Sequence, residues 1–480
     1  MDTPTRLPLD DTPPPGPRPR GWGLPLLRAM RDDYLGFMAA LHREHGDLCR
    51  MRLAWEEAWS LGSPERVREA LVEQADALVR WERGVAVFAQ IFGQSVLTTE
   101  GETWQRLRRM LQPAFTPRRV AAQAGLMREA AAQALDAAVP PGQDEAAVDM
   151  DTLFARVTMD VILRTLFGTP ADDATSARAI DATRTLSETA MREMFMPFTL
   201  PDVLPLPGKA AKRAAMRTLR ALVAERIAAR RARLGRPGDT QDDLLAGLLA
   251  LRDEAGGAAL DDTALFEQCM VTFQAGHDTG ATALLWWSRR MAAHPEAAER
   301  ARAEVDAALA GRDPGPDDLA RLPWLTATLK EALRLHPPIA GLMTRRTTRP
   351  IRVGGRTIAR GALLYVTPWL LQRDARSFPE PDAFRPERFL PQAPPPPRGA
   401  WIPFGLGPRV CIGQHFAMLE MTLVAAMLLR RFEIGPGPAD GAEGEPVLNV
   451  TLRPAGPTRL RLRRRPAAAA PGRPDARPLP

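Results

Sequence analysis

This chain predicts a mainly α fold carrying a small, mostly antiparallel β portion. Three observations point there: helical periodicity through most of its 480 residues, strand-like runs that are few and short, and no internal repeat. With 45% hydrophobic residues the chain can bury one large core. The organisation that follows is a leader over 1–20, a single domain over 21–465 and a tail over 466–480.

The leader is polar and proline-rich and reads as disordered. It lacks the charged start and apolar run of a signal peptide. Apolar spacing then predicts helices at Asp32–Gly46, Pro64–Leu71, Glu102–Ala114, Pro117–Ala138, Leu153–Gly168 and Ala171–Met194. Further helices are predicted at Lys209–Leu234, Asp242–Glu254, Asp262–Ala293, Pro295–Leu309, Pro323–Leu335 and Gln414–Arg431. Alternation or β-branched content predicts strands at Leu48–Leu53, Ala58–Leu61, Ile351–Val353, Leu363–Thr367 and Arg459–Arg463. The last, alternating arginine with leucine, reads as an edge strand with solvated arginines. Phe195–Pro207 is apolar but too rich in proline for a long helix. It is either a lid over a greasy pocket or ordinary surface packing. Pro394–Pro397 reads as a surface loop, and the tail as disordered.

Composition excludes several classes. No stretch approaches the ~20 apolar residues of a membrane span; Ala281–Trp287 and Met421–Leu429 are too short, so no transmembrane anchor is expected. Cys49, Cys269 and Cys411 are too scattered for a disulfide framework or a zinc site and fit a reducing cytoplasm. The net charge of +7 is almost all arginine, the lysines being Lys209, Lys212 and Lys330, and it is spread along helices among carboxylates. That argues against nucleic acid, while leaving room for a steered acidic protein partner.

The chemistry concentrates in Phe404-Gly-Leu-Gly-Pro-Arg-Val-Cys-Ile-Gly413, just before the helix that begins at Gln414. Backbone N–H groups near the glycines and the helix N-terminus are expected to poise Cys411 as a thiolate. A dinucleotide fingerprint would need glycine at Val410, and covalent haem attachment would need Cys-x-x-Cys-His. A single thiolate suits a metal with one protein ligand, haem iron above all. The loop resembles the haem-binding signature of the cytochrome P-450 monooxygenases at Phe404, Gly405, Gly407, Arg409, Cys411 and Gly413.

The other motifs extend the resemblance from about Gly21 to Arg465. Ala275-Gly276-His277-Asp278-Thr279 resembles the family's oxygen-activation run, with Asp278 and Thr279 as the acid–alcohol pair. The small Ala275 and Gly276 would let a flat ligand or a diatomic molecule approach, and Thr279 can bond back to the Ala275 carbonyl. Gly280 departs from the second hydroxyl residue the family often carries. Glu331 and Arg334, three apart on one helical face, with Arg388, resemble the family's Glu–Arg–Arg triad, whose implied role is structural. Trp104 and Arg108 match its Trp-x-x-x-Arg. With Arg409 and Arg345 they are the implied partners of the haem propionates, Arg346 being an alternative to Arg345. Gln372-Arg373-Asp374 departs from the usual His-Arg-Asp. His277, His336 and His415 read as packing or surface residues.

The resemblance implies a P-450 fold with haem b between the Asp262–Ala293 helix and the cysteine-led helix. It also implies hydroxylation: O2 is the cosubstrate, electrons come ultimately from NAD(P)H, and one oxygen atom enters a small lipophilic substrate. Terpenoids, carotenoids and fatty acids are the expected classes, contacted by Val85–Val96 and Met191–Leu206. With no fused electron-transfer module in view, a soluble ferredoxin and its reductase are the expected partners, docking near the Cys411 side. Two other uses of such a site are a peroxygenase, isomerase or dehydratase on the same fold, and a non-enzymatic haem sensor or carrier. An intact Asp278–Thr279 pair argues against both.

Overall fold

The computed structural model describes residues 14–18, 21–170, 172–196, 201–204, 206–234, 236, 243–251, 260–341, 343–437 and 445–466. Residues 1–13 and 19–20 of the predicted leader and 467–480 of the predicted tail lie outside them. Pro15, by contrast, is tied down, its carbonyl accepting from the Arg50 N–H (2.8 Å).

The helical body is built on Asp262–Ala293, the long helix, which packs against Met150–Phe167, Pro323–Leu335 and Gln414–Arg431. Its start is set by Asp261, whose carboxylate accepts the Ala264 N–H (2.7 Å). Asp149 and Asp172 cap Met150–Phe167 and Asp173–Met194 in the same way. Proline in the first turn opens Pro295–Leu309 and Pro323–Leu335. The cysteine-led helix, Gln414–Arg431, is buried almost all round from Leu419 to Leu429, as a helix at the centre of a large body must be.

The β structure is small. A five-stranded sheet runs in the order Leu48–Leu53, Glu56–Leu61, Leu363–Val366, Arg345–Thr347, Leu78–Arg80, with only the Glu56–Leu61/Leu363–Val366 pair parallel. A three-stranded sheet holds Arg459–Arg464 between Glu145–Asp149 and Phe432–Gly435. Arg459–Arg464 is therefore a central strand, not the expected edge. Leu460 and Leu462 face the core, while Arg461 between them pairs with Ala147 on one side and Gly435 on the other.

Other expectations shift for local reasons. Pro117–Ala138 is two helices, Pro117–Ala122 and Ala124–Ala138, meeting at Gln123. The helix expected to reach Leu71 ends at Arg68 and continues as a wider π turn over Glu69–Glu73. Of the expected Asp242–Glu254 helix, Leu244–Ala250 is helical, while residues 242 and 252–254 lie outside the described set. Helices Leu24–Asp32 and Glu82–Phe92 were not expected. Of the connector over 195–207, residues 197–200 and 205 lie outside the described set. Phe195 packs inward, whereas Val203 is 81% exposed.

Candidate active site

The cysteine loop is shaped by two glycines in left-handed backbone. Gly405 has φ 83° and Gly407 φ 77°, and a β-carbon on Gly407 would stand 2.0 Å from the Leu71 carbonyl oxygen. The Phe404 carbonyl accepts the Cys411 N–H (2.8 Å), and Gly407–Arg409 form a 3-10 turn between them. Cys411 is an exposed residue, although protein surrounds its sulfur. Burial pushes its thiol up; the Gly413 backbone N–H and the Arg108 charge pull it down but do not prevail. The expectation of a self-poised thiolate is thereby corrected. Desolvation outweighs the loop dipoles, so deprotonation requires a cation on the sulfur, which a bound metal provides.

Around this thiol the structure gathers cations. Arg409 donates to the Thr99 carbonyl (3.1 Å) and to the Glu100 carboxylate, and its guanidinium lies 3.8 Å from the centre of the Trp104 ring. Arg108, in the last turn of Gly101–Leu111, is close enough to Cys411 to feel its charge. Arg345 lies close enough to Arg409 and Glu100 to feel their charges; Arg346 is instead paired with Glu56 and Glu82. The geometry therefore favours Arg345 over Arg346. Arg80 joins the group, pushed down to about 9 by burial and by Arg409, Arg345 and Arg108. Four guanidiniums around the single carboxylate of Glu100 are an unbalanced set. Two further carboxylates, such as those of a haem edge, would balance it. The site fits the group the resemblance implies.

Ala275 is the one exposed residue of the long helix between Ala264 and Ala292. Its carbonyl accepts from the Thr279 hydroxyl (2.9 Å), as the sequence predicted. Gly276 serves a different end from the one expected: a β-carbon there would stand 2.7 Å from Ile162, so it packs the long helix against Met150–Phe167. Asp278 also points away from open space. It is buried, accepts from Arg453 and from the Thr451 hydroxyl (3.0 Å), and lies on a chain through Arg453 to Asp151 (2.5 Å) and Arg184 (2.8 Å). Burial pushes its carboxyl up, but Arg453, His277 and Thr451 outweigh that and hold it below the usual range. His277 packs against Phe273 and His336 stacks on Trp286 at 3.8 Å; His415 is exposed.

The triad residues meet. Arg334 donates Nε–H to Glu331 (2.7 Å) and Nη2–H to its other oxygen (2.8 Å), both side chains being fully buried. Arg388 lies 3.4 Å from the same carboxylate. Arg334 also donates to the carbonyls of Gln372 (2.8 Å), Pro381 (2.6 Å) and Ala383 (3.0 Å). Gln372, a departure without expected consequence, turns out to be a strut. It donates to the Leu333 and Arg334 carbonyls and accepts the Ile402 N–H (2.9 Å). The Ile402 carbonyl in turn accepts the Gly405 N–H (3.0 Å), and the adjacent Phe404 carbonyl accepts the Cys411 N–H.

Arg80, Glu100, Asp151 and Arg453 escaped the sequence reading. Each sits in a short strand, a loop or a helix whose pattern is that of packing, and only long-range pairing reveals it. Among the described residues no helix is long and apolar enough to cross a membrane.

The comparisons with known proteins agree with this geometry. The pattern of the family described as Cytochrome P450 matches residues 13–460. The chain is 34% identical over 406 residues to cyclooctat-9-en-7-ol 5-monooxygenase of Streptomyces melanosporofaciens, covering 84% of this chain and 86% of that one. It is also 34% identical over 448 residues to cyclooctatin synthase of the same organism (91% and 94% covered). Pentalenene oxygenase of Streptomyces avermitilis is 31% identical over 433 residues (89% and 92% covered).

Proposed function

The chain belongs to the cytochrome P450 family, and from that premise we propose that Cys411 ligates its haem and that the enzyme hydroxylates a terpenoid-like hydrocarbon. Membership brings haem, dioxygen and NAD(P)H-derived electrons, and makes the protein a monooxygenase acting on a lipophilic substrate. The observation that carries the assignment of the ligand is a cysteine whose sulfur feels the charge of Arg108, which stands with Arg409, Arg345 and Arg80 beside the single carboxylate of Glu100. When bound, the haem supplies the activation of dioxygen and the insertion of one oxygen atom.

The remaining steps belong to the chain. Arg108, Arg345, Arg409 and Arg80, with the Trp104 indole, would hold the haem propionates. Thr279 donates to the Ala275 carbonyl, so its lone pairs accept from an incoming water. Ala275 presents only a methyl group, leaving room for a guest beside that hydroxyl. Asp278, held ionised by Arg453, orients the hydrogen-bond network from behind the helix. Glu331, Arg334 and Arg388 keep the cysteine segment in register through Gln372. The terpenoid class rests on the names of the relatives, cyclooctat-9-en-7-ol 5-monooxygenase and pentalenene oxygenase, together with the apolar residues around 195–207. Electrons arrive from a separate acidic ferredoxin and its reductase, and the protein works in the cytoplasm.

The carbon monoxide adduct of the reduced holoprotein tests the ligand. The long-wavelength absorption of thiolate ligation is expected and is lost in Cys411→Ala; a variant that kept it would refute the assignment. Titration with cyclic terpenes and with fatty acids tests the class. Terpenes are expected to drive the haem towards high spin, and a response confined to fatty acids would overturn the terpenoid reading.

A further inference from the structure

Where the end of Pro323–Leu335 meets the segment after Leu371, the structure gathers N–H donors and leaves several of them without an acceptor. His336 is 4% exposed and stacks on the Trp286 ring. Arg290 Nη2 lies 3.2 Å from His336 Nε2. A guanidinium can only donate, so Nε2 accepts and the ring hydrogen sits on Nδ1. That Nδ1–H is buried and has no partner. Nη1 of Arg373 is buried and unpaired too, as is the indole N–H of Trp369, whose ring centre lies 4.4 Å from the Arg373 guanidinium.

His336 and Arg373 are close neighbours. After Arg290, Arg373 is the charge His336 feels most strongly, ahead of Arg289 and Arg334. Arg373 is pushed down to about 9 by burial, with Arg334 and Arg290 adding to it and Asp382 pulling the other way. That carboxylate lies 3.4 Å from Arg373 Nε, but its side chain is 85% exposed, so solvent screens the pair. Buried donors without acceptors are rare in folded proteins and call for a ligand or a bound water. A water accepts the N–H groups but must then place its own two hydrogens among donors, and it leaves the arginine charge unopposed. A tetrahedral oxyanion carries four oxygens, more than these few donors can satisfy. A single spherical anion meets neither difficulty.

We propose that His336 Nδ1 and Arg373 Nη1 together hold a small monovalent anion of the halide class, chloride being its natural form. The anion ties the end of the helix that carries Glu331 and Arg334 to the segment that Gln372 already fastens there through the Leu333 and Arg334 carbonyls. It is a structural ligand of the segment that supports the cysteine loop, and no step of the oxygenation passes through it.

Crystals of the holoprotein soaked in bromide test the site. Anomalous scattering is expected at one buried position within hydrogen-bond reach of both nitrogens. A water at that position, or bromide at surface arginines as an adventitious ion only, overturns the proposal. In solution, the thermal midpoint of the holoprotein is expected to lie about 2–3 °C higher in chloride at ~100 times its Kd than in gluconate of equal ionic strength. Equal midpoints in the two salts overturn the proposal as well. Arg373→Met removes the cation, and His336→Phe removes the Nδ1–H while keeping a ring on Trp286. Each is expected to lose the chloride gain, and a gain that survives in either counts against the site. If neither variant folds, the bromide map of the unmutated protein decides alone.

Discussion

Two residues carry most of what can go wrong at the cysteine loop. Glu331 is fully buried and receives both Arg334 and Arg388, so Glu331→Gln leaves two guanidiniums facing a neutral amide. Removing one member of a buried ion pair costs about 3–5 kcal/mol, a large part of a stability of roughly 5–15 kcal/mol. The hydrogen bonds from Arg334 run through Gln372 to Ile402, so the damage is expected to reach Cys411. Glu331→Gln should therefore lower the urea midpoint and leave most purified protein without haem, both measurable on one preparation; a haem-replete variant with slow turnover would contradict the structural role. Gly407 makes the same point through the backbone. Gly407→Ala meets left-handed strain of about 1–2 kcal/mol and, in addition, a clash with the Leu71 carbonyl. Its haem content should fall while the far-ultraviolet dichroism of the helical body stays close to that of the parent.

At the scale of elements, what the sequence made legible follows from where the determining forces lie. Asp262–Ala293, Pro295–Leu309, Pro323–Leu335 and Gln414–Arg431 have the predicted bounds because a capping aspartate, a first-turn proline or a preceding glycine marks each start locally. Leu78–Arg80 and Arg345–Thr347 are three-residue strands held by each other across the chain, and nothing local announces them. The same holds for Arg80 and Arg453, whose chemistry depends on neighbours remote in sequence. Lys209 and Lys212 teach a related lesson. In an arginine-rich chain, two of the lysines share Glu193 and Asp202, and Lys212 also donates to Gln90 (2.6 Å). This buried cluster ties both ends of the 195–207 connector to the Glu82–Phe92 helix. Lys212→Met should leave Glu193 short of a partner and loosen the connector. Faster hydrogen exchange over residues 190–215 is expected with the Glu331 region unchanged; uniform exchange across the chain would show global destabilisation instead.

For the whole molecule the buried histidines set the acid limit of the fold. His277 is 2% exposed on the long helix, and burial lowers its basicity to about 4; of the charges facing it, Asp278 and Asp151 raise it while Arg453 and Arg184 lower it. His336 is lowered well below its ordinary value, by burial first and then by Arg290, Arg373, Arg289 and Arg334. Both are neutral in the folded protein, and in the unfolded chain they take up protons near pH 6.5. Below that pH the unfolded state binds more protons, so stability falls as pH falls. His277 alone would remove about 2 kcal/mol by pH 5 and roughly 3 kcal/mol once the pH is below about 4, where its folded form also titrates. Asp278 works in the same direction, because its depressed carboxyl loses the benefit of Arg453 on protonation. Urea midpoints between pH 7 and 5 should therefore drop steeply, and His277→Phe, which keeps an aromatic ring beside Phe273, should flatten that slope by about 2 kcal/mol. An unchanged slope would mean that His277 does not set the acid limit and that His336 carries it instead.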